Sequence, residues 1–126
     1  MAKRILVVDD EPDIVKMVAS RLQANGYEIL TASGGKEGLK KCKQLKPDAV
    51  ILDIMMPDID GTGVAEILKE DPDTSNIPII FLTAAVRSGE LPKSQKVGNH
   101  YILAKPFNAI DLLQMLRRVL PDPKET

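Results

Sequence analysis

Five residues that could handle a phosphoryl group lie at the ends of short apolar runs in this sequence. They are the carboxylates Asp9, Asp10 and Asp53, the hydroxyl of Thr83 and the amine of Lys105. Clustered carboxylates repel one another, and a divalent cation bound between them offsets that repulsion. A set of oxygen ligands without histidine is typical of Mg²⁺, which also takes phosphate oxygens as ligands. The residues therefore predict a Mg²⁺ site beside a bound phosphoryl group.

The same set could also carry out phosphoryl transfer. The ammonium group of Lys105 can pair with one phosphoryl oxygen, and the hydroxyl of Thr83 can donate a hydrogen bond to another. A remaining carboxylate can act as the nucleophile, since aspartyl phosphate is a known covalent intermediate. Positioning and electrostatic stabilisation then account for most of the catalysis.

Five short apolar runs position these residues, and each is followed by a helical or turn-like pattern. The runs are 5–8, Glu28–Ala32, 49–52, 79–82 and 101–104. Three of them are apolar without alternation, as in parallel strands buried on both faces. Repeated strand–helix alternation predicts one α/β domain, a (βα)5 doubly wound five-stranded parallel sheet with helices on both faces. Ligands in such a sheet bind outside the carboxyl ends of the strands, so the five chemical residues should converge on one edge.

Helical patterns fill most of the segments between these runs. The first begins at Pro12 and ends at Asn25-Gly26, and the others cover Gly35–Leu45, Gly61–Glu70 and 109–120. Residues 87–97 contain Gly89 and Pro92, which disfavour a regular helix. A short or broken helix is predicted there.

Composition excludes several other classes of protein. The 126 residues carry 17 Lys and Arg against 18 Asp and Glu, a net charge of −1, which does not favour nucleic acid as a partner. One Cys and one His exclude an internal disulfide and a multi-histidine metal site. No apolar stretch approaches the roughly 20 residues of a membrane span, and no signal peptide is recognisable. We expect a single cytoplasmic domain over residues 1–126, with a core of about 4–120 and no output domain.

Five motifs occur in order at the predicted strand ends: Asp9-Asp10, Asp53, Met56-Pro57 followed by Asp60-Gly61, Thr83, and Lys105-Pro106-Phe107. With them the chain resembles the receiver domain of two-component response regulators, in particular the stand-alone chemotaxis type, over essentially its whole length. The resemblance implies a flavodoxin-like strand order 2-1-3-4-5.

The resemblance also implies a role for each site residue. Asp53 would accept a phosphoryl group from a sensor histidine kinase or a phosphotransfer protein. Mg²⁺ would be held by Asp9, Asp10 and Asp53 with the backbone carbonyl of Met55, and Asp10 would be the more direct ligand of the first pair. Lys105 would pair with the phosphoryl group and Thr83 would hydrogen-bond it. Such a domain is a switch that changes its binding to a downstream protein, here unidentified, and not an enzyme acting on a separate substrate.

Simpler interpretations stay open for individual residues. Asp9 and Asp10 could cap the first helix, Asp58 and Asp60 are expected to be turn residues, and Ser33-Gly34-Gly35 is expected to start a helix rather than to bind phosphate. Many receivers carry an aromatic residue three positions before the lysine, as part of their switch. Ile102 is at that position here and Tyr101 precedes it, so which of the two takes the switch position is open.

Two other functions are alternatives for the whole chain. One is a receiver-like module for protein interaction or dimerisation that does not depend on phosphate. The other is a Mg²⁺-dependent phosphohydrolase, which would need an acid/base carboxylate two residues after Asp53, where this sequence has Met55.

Overall fold

A β-sheet forms the centre of the fold. The structure is a computed structural model and describes residues 3–83, 94–97, 100–104 and 107–120. Its strands are β1 (Arg4–Val8), β2 (Glu28–Ala32), β3 (Ala49–Asp53), β4 (Ile79–Thr83), β5 (Ser94–Val97) and β6 (His100–Ala104). The helices of the described residues are α1 (Pro12–Ala24), α2 (Gly35–Leu45), α3 (Gly61–Glu70) and α4 (Ala109–Val119).

The strands are arranged in the order β2-β1-β3-β4-β6-β5. The first five in this order run parallel, so the predicted parallel sheet with the order 2-1-3-4-5 is confirmed, with β6 as its fifth strand. Because the chain crosses over after β2, the carboxyl ends of β1 and β3 become neighbours. That edge is where a doubly wound sheet binds its ligands.

The outermost strand differs from the prediction. A short or broken helix was expected over 87–97, but Ser94–Val97 forms β5, antiparallel to β6, and residues 87–93 lie outside the described part of the chain. The open edge of β6 offers unpaired backbone groups, and pairing with them outweighs a weak helix propensity. Gly98-Asn99 separates the two strands in the sequence, a pair typical of a two-residue hairpin turn, and this signal was missed.

Two apolar layers cover the two faces of the sheet. One face packs against α1 and α4, through Val18, Leu22, Leu112, Met115 and Leu116. The other packs against α2 and α3, through Cys42, Val64, Ala65 and Leu68. Helices on both faces are therefore confirmed. The inner strands β1 and β3 are almost wholly buried, as their unbroken apolar runs predict.

The helix boundaries follow local sequence signals. Pro12 is the first residue of α1, whose end is closed by Asn25 and by Gly26 at a φ of 91°. The bounds of α2 and α3 are as predicted, and α4 ends one residue earlier than expected, at Val119. Within the described ranges, none of the helices combines the length and the apolar character needed to cross a membrane.

Candidate metal and phosphoryl site

Two buried carboxylates lie side by side at the carboxyl edge of the sheet. Asp53 is the last residue of β3, and Asp9 follows the last residue of β1. Because Val8 pairs with Leu52, Asp9 and Asp53 occupy neighbouring positions. Their exposed fractions are 1% for Asp9 and 2% for Asp53. A buried charge is costly without a compensating partner, so this pair requires one.

Four carboxylates meet at this point. Asp9, Asp10, Glu11 and Asp53 each offer an oxygen, and these oxygens all lie within 4.8 Å of one another. Asp10 and Glu11 are exposed, whereas the other two are buried. A donor set made only of oxygen atoms, partly open to water, fits Mg²⁺, which prefers carboxylates and retains several waters. The residues present therefore fit the predicted ion.

Backbone amides orient the two buried carboxylates. The N–H of Glu11 donates to Oδ1 of Asp9 at 2.9 Å, and the N–H of Met55 donates to Oδ1 of Asp53 at 3.3 Å. The hydrogen bond to Asp9 closes the turn before α1, whose N-cap residue is Glu11, and no side chain of the described residues caps this helix, so Asp9 does not cap it as the simpler interpretation would have it. Glu11 was not predicted as a site residue, although its position directly after Asp10 was a signal for it.

The other predicted site residues that the structure describes lie along the same carboxyl edge of the sheet. Thr83 is the last residue of β4 and is half-buried. Asp53 pairs with Leu82, so Thr83 lies one position beyond Asp53 on the neighbouring strand. Met55 follows on the loop after β3, and its side chain is 69% exposed. Lys105 lies outside the described residues. The residue before it, Ala104, pairs with Thr83, which brings β6 to the same edge.

Strand register places the two candidates for the switch position, Ile102 and Tyr101, on opposite faces of the sheet. Ile102 pairs with Phe81, and both belong to the face that packs against α2 and α3. Tyr101 packs against the opposite face, with α1 and α4. Alternation along β4 places Thr83 on the face of Phe81. Ile102 therefore lies on the same face of the sheet as Thr83, and the aromatic ring of Tyr101 lies on the other face.

The loop between β3 and α3 carries two further aspartates, both of which cap helices. Oδ1 of Asp60 accepts hydrogen bonds from the N–H of Gly63 at 2.9 Å and the hydroxyl of Thr62 at 2.8 Å. Hydrogen bonds from backbone amides, chiefly those of Lys36, Ile59 and Gly35, lower the pKa of Asp58 to about 2. The structure thus confirms both as turn residues.

The segment Ser33-Gly34-Gly35 leads into α2, as predicted. The carboxylate of Asp58 accepts from the N–H groups of Gly35 and Lys36, which a bound phosphate would otherwise use. A cavity of about 310 Å³ opens beside the start of this helix and is lined in part by Asp9, Asp10 and Lys16. The carboxylate cluster can therefore be reached from solvent.

A parallel α/β sheet with a buried aspartate at the end of its central strand, beside a cluster of carboxylates, defines a class of domain that handles phosphoryl groups. The model of the response regulator receiver domain matches residues 5–117. The chain belongs to this family, whose members act as phosphorylation-controlled switches in two-component signalling.

Known relatives show the same likeness. The chain is 41% identical over 118 residues to the probable transcriptional regulator ycf27 of Guillardia theta, covering 94% of this chain and 45% of the relative. The chemotaxis response regulator CheY4 of Vibrio cholerae superposes with a TM-score of 0.82 at 32% identity, over 95% of this chain and all of the other. The response regulator TrrA of Thermotoga maritima, solved in complex with Mg²⁺ and BeF, has a TM-score of 0.78 at 39% identity, over 94% and 99% of the two chains. The chain spans about half the length of the curated relatives it matches.

Proposed function

We propose that Asp53 is the phosphoryl acceptor of this receiver domain and that Mg²⁺ binds beside it. The observation that carries the proposal is the group of four carboxylates within 4.8 Å, two of them buried at the ends of β1 and β3. Asp9, Asp10 and Asp53 would hold the ion together with the carbonyl of Met55. The ion, when bound, neutralises charge on the carboxylates and on the phosphoryl oxygens. The complex of TrrA with Mg²⁺ and BeF supports the assignment.

In the proposed reaction a carboxylate oxygen of Asp53 attacks the phosphorus of the donor. The bond between phosphorus and the donor atom breaks, and its electron pair leaves with the donor. The hydrogen bond from the N–H of Met55 keeps the Asp53 carboxylate oriented for the attack. Thr83 donates to one phosphoryl oxygen, and Lys105, as its motif implies, pairs with another. The domain is thus itself the acceptor of the phosphoryl group, and beyond the donor the proposed reaction involves no further substrate.

Phosphorylation would change the surface of the domain through a two-state equilibrium. Thr83 is half-buried at the end of β4, and Phe81 and Ile102 lie next to each other on the same face of the sheet. A hydrogen bond from Thr83 to the phosphoryl group would favour the state in which the end of β4 lies closer to Asp53. The aromatic part of this switch in many receivers is replaced here by an aliphatic side chain, Ile102.

The proposed partners follow from the chemistry. The phosphoryl donor is a phosphorylated histidine on a sensor histidine kinase or a phosphotransfer protein. The output partner is a downstream protein that recognises the phosphorylated surface of this domain. Residues 1–126 are proposed to act as one receiver domain, with a core of about 4–120. We propose, from the sequence, that the protein is located in the cytoplasm.

Intact-mass measurement tests the phosphoryl acceptor directly. The protein is incubated with Mg²⁺ and acetyl phosphate, and we expect one phosphoryl adduct in the wild type. The isosteric variant Asp53→Asn should show none, because its amide cannot act as the nucleophile. Asp73→Asn is the matched control, since Asp73 is an exposed aspartate in the turn before β4 and should leave the adduct unchanged.

An adduct that persists in Asp53→Asn, or no adduct in the wild type, would refute the proposal. A chelator added before the donor should abolish the adduct if the carboxylate cluster works with Mg²⁺. The interaction-module alternative predicts partner affinity that does not change on phosphorylation. The phosphohydrolase alternative predicts turnover of a generic phosphoester well beyond one equivalent.

A further inference from the structure

A single side chain ties the loop between β3 and α3 to a different helix. Oδ1 of Asp58 accepts a hydrogen bond from the N–H of Gly35 at 3.0 Å, and Oδ2 accepts one from the N–H of Lys36, also at 3.0 Å. The N-cap residue of α2 is Gly34, which has no side chain with which to cap the helix. Asp58, more than twenty residues further along the chain, supplies this cap from outside.

The loop lies directly on the first turn of α2. A Cβ atom on Gly35 would be 2.6 Å from the carbonyl oxygen of Ile59, and one on Gly34 would be 3.0 Å from Oδ2 of Asp58. Any other residue at position 35 would push the loop backbone away. The two glycines therefore serve this close approach, and the loop has little freedom at its outer end.

The inner end of the same loop forms part of the candidate Mg²⁺ site. The N–H of Met55 donates to Oδ1 of Asp53 at 3.3 Å, and the N–H of Gly61 donates to the carbonyl oxygen of Ile54 at 2.8 Å. Met55 thus lies between the closure of the loop at Ile54 and the contact of Asp58 with α2.

We infer that Asp58 is a positioning residue for the Mg²⁺ site, because its contact with α2 holds the loop and with it the carbonyl of Met55. The inference rests on the proposed function for the identity of the ion. A carboxylate at a helix N-terminus is also favoured by the helix dipole. The lowered pKa of Asp58 means that its charge is present throughout the neutral range.

Amide hydrogen exchange in the full chain without metal tests the positioning itself. In Asp58→Ala we expect faster exchange at Gly35 and Lys36, and also at Met55, whose amide donates to Asp53 and not to Asp58. Thr74→Val is the matched control, since it removes a buried hydrogen bond to the carbonyl of Leu68 at the far end of α3. Exchange at Met55 that stays at its wild-type rate in Asp58→Ala would overturn the inference.

Calorimetric titration with Mg²⁺ measures the consequence for the site. Residues that support metal ligands typically alter affinity by about 10- to 100-fold, and we expect a rise of roughly tenfold in the dissociation constant for Asp58→Ala. Asp58→Asn keeps one acceptor oxygen and should show a smaller rise. The Thr74→Val control should bind Mg²⁺ as the wild type does.

Two outcomes of the titration would overturn the inference: unchanged affinity in Asp58→Ala, or an equal loss in Asp58→Ala and Thr74→Val. Failure of the proposed function is seen separately, as a wild type that neither binds Mg²⁺ nor acquires a phosphoryl group. The exchange measurement needs neither property, so it decides the positioning role in that case as well.

Discussion

Alanine at position 61 would place a methyl group against the backbone of the candidate site. Its Cβ would lie 2.4 Å from the carbonyl oxygen of Asp53 and 2.9 Å from the Cα of Ile54. Ordinary contacts begin at 3.4 Å, so the first of these atoms would have to move by about 1 Å. Both atoms belong to backbone at the end of a buried strand, and no side-chain rotation can relieve the clash. We expect the free energy of unfolding to fall by about 2–3 kcal/mol, the upper part of the range for overpacking.

The same displacement should slow phosphorylation of Asp53. A shift of about 1 Å in a reacting group can cost on the order of 100-fold in rate. We therefore expect Gly61→Ala to take up a phosphoryl group from acetyl phosphate one to two orders of magnitude more slowly than the wild type, even where it is fully folded.

Urea denaturation followed by far-ultraviolet circular dichroism measures the stability, and intact mass against time measures the rate. Gly63→Ala is the matched control two residues further along α3. Its Cβ would lie 3.1 Å from Cγ2 of Ile59, the end of a side chain that can yield. Alanine also favours the helix over glycine by up to about 1 kcal/mol, so the two effects nearly cancel. Equal stabilities and equal rates for the two variants would refute the reasoning.

Three further predictions concern other parts of the molecule. Hydrogen bonds from Ser33, together with Lys41, lower the pKa of Glu37 to about 2 from 4.5. The ionised Glu37 side chain therefore stabilises the folded protein above pH 4.5, and this contribution is lost as the pH falls toward 2. The difference in melting temperature between the wild type and Glu37→Gln should shrink over that interval, and a constant difference would contradict this cause. Burial raises the pKa of Cys42 to about 12, so a thiol reagent at neutral pH should label it only after unfolding, and rapid labelling of the native protein would contradict its burial. Leu116→Ala should cost about 2–5 kcal/mol of unfolding free energy because Leu116 is fully buried, whereas Ile110→Ala, at a residue 65% exposed, should stay within about 0.5 kcal/mol. Similar losses for these two variants, measured by urea denaturation, would contradict the assigned burial.

Much of the fold could be predicted because its signals are local. Adjacent residues mark the apolar runs at β1, β3 and β4 and the ends of α1 and α2, and the structure reproduces these bounds within one residue. β5 was mispredicted because segments of four residues carry little propensity of their own. Its strand conformation comes from pairing with β6.

The placement of the candidate site was also predictable in outline. Asp9, Asp10, Asp53 and Thr83 stand at strand ends, and parallel strands bring all their carboxyl ends to one edge. The place of Glu11 directly after Asp10 made it a candidate, but sequence position does not show that its carboxylate reaches the cluster. Oxygens of all four carboxylates lie within 4.8 Å of one another because β1 pairs with β3 and because the chain turns into α1, where the N–H of Glu11 donates to Asp9.

Local sequence patterns predicted the described elements other than β5, and their order along the chain, because strand and helix periodicity act over a few neighbouring residues. Tertiary structure decided which distant residues meet. Strand register placed Ile102 rather than Tyr101 on the face of Phe81, since side chains alternate between the faces of a sheet. Packing of α2 on the loop after β3 brought Asp58 to the backbone of Gly35 and Lys36, a contact that no local pattern encodes.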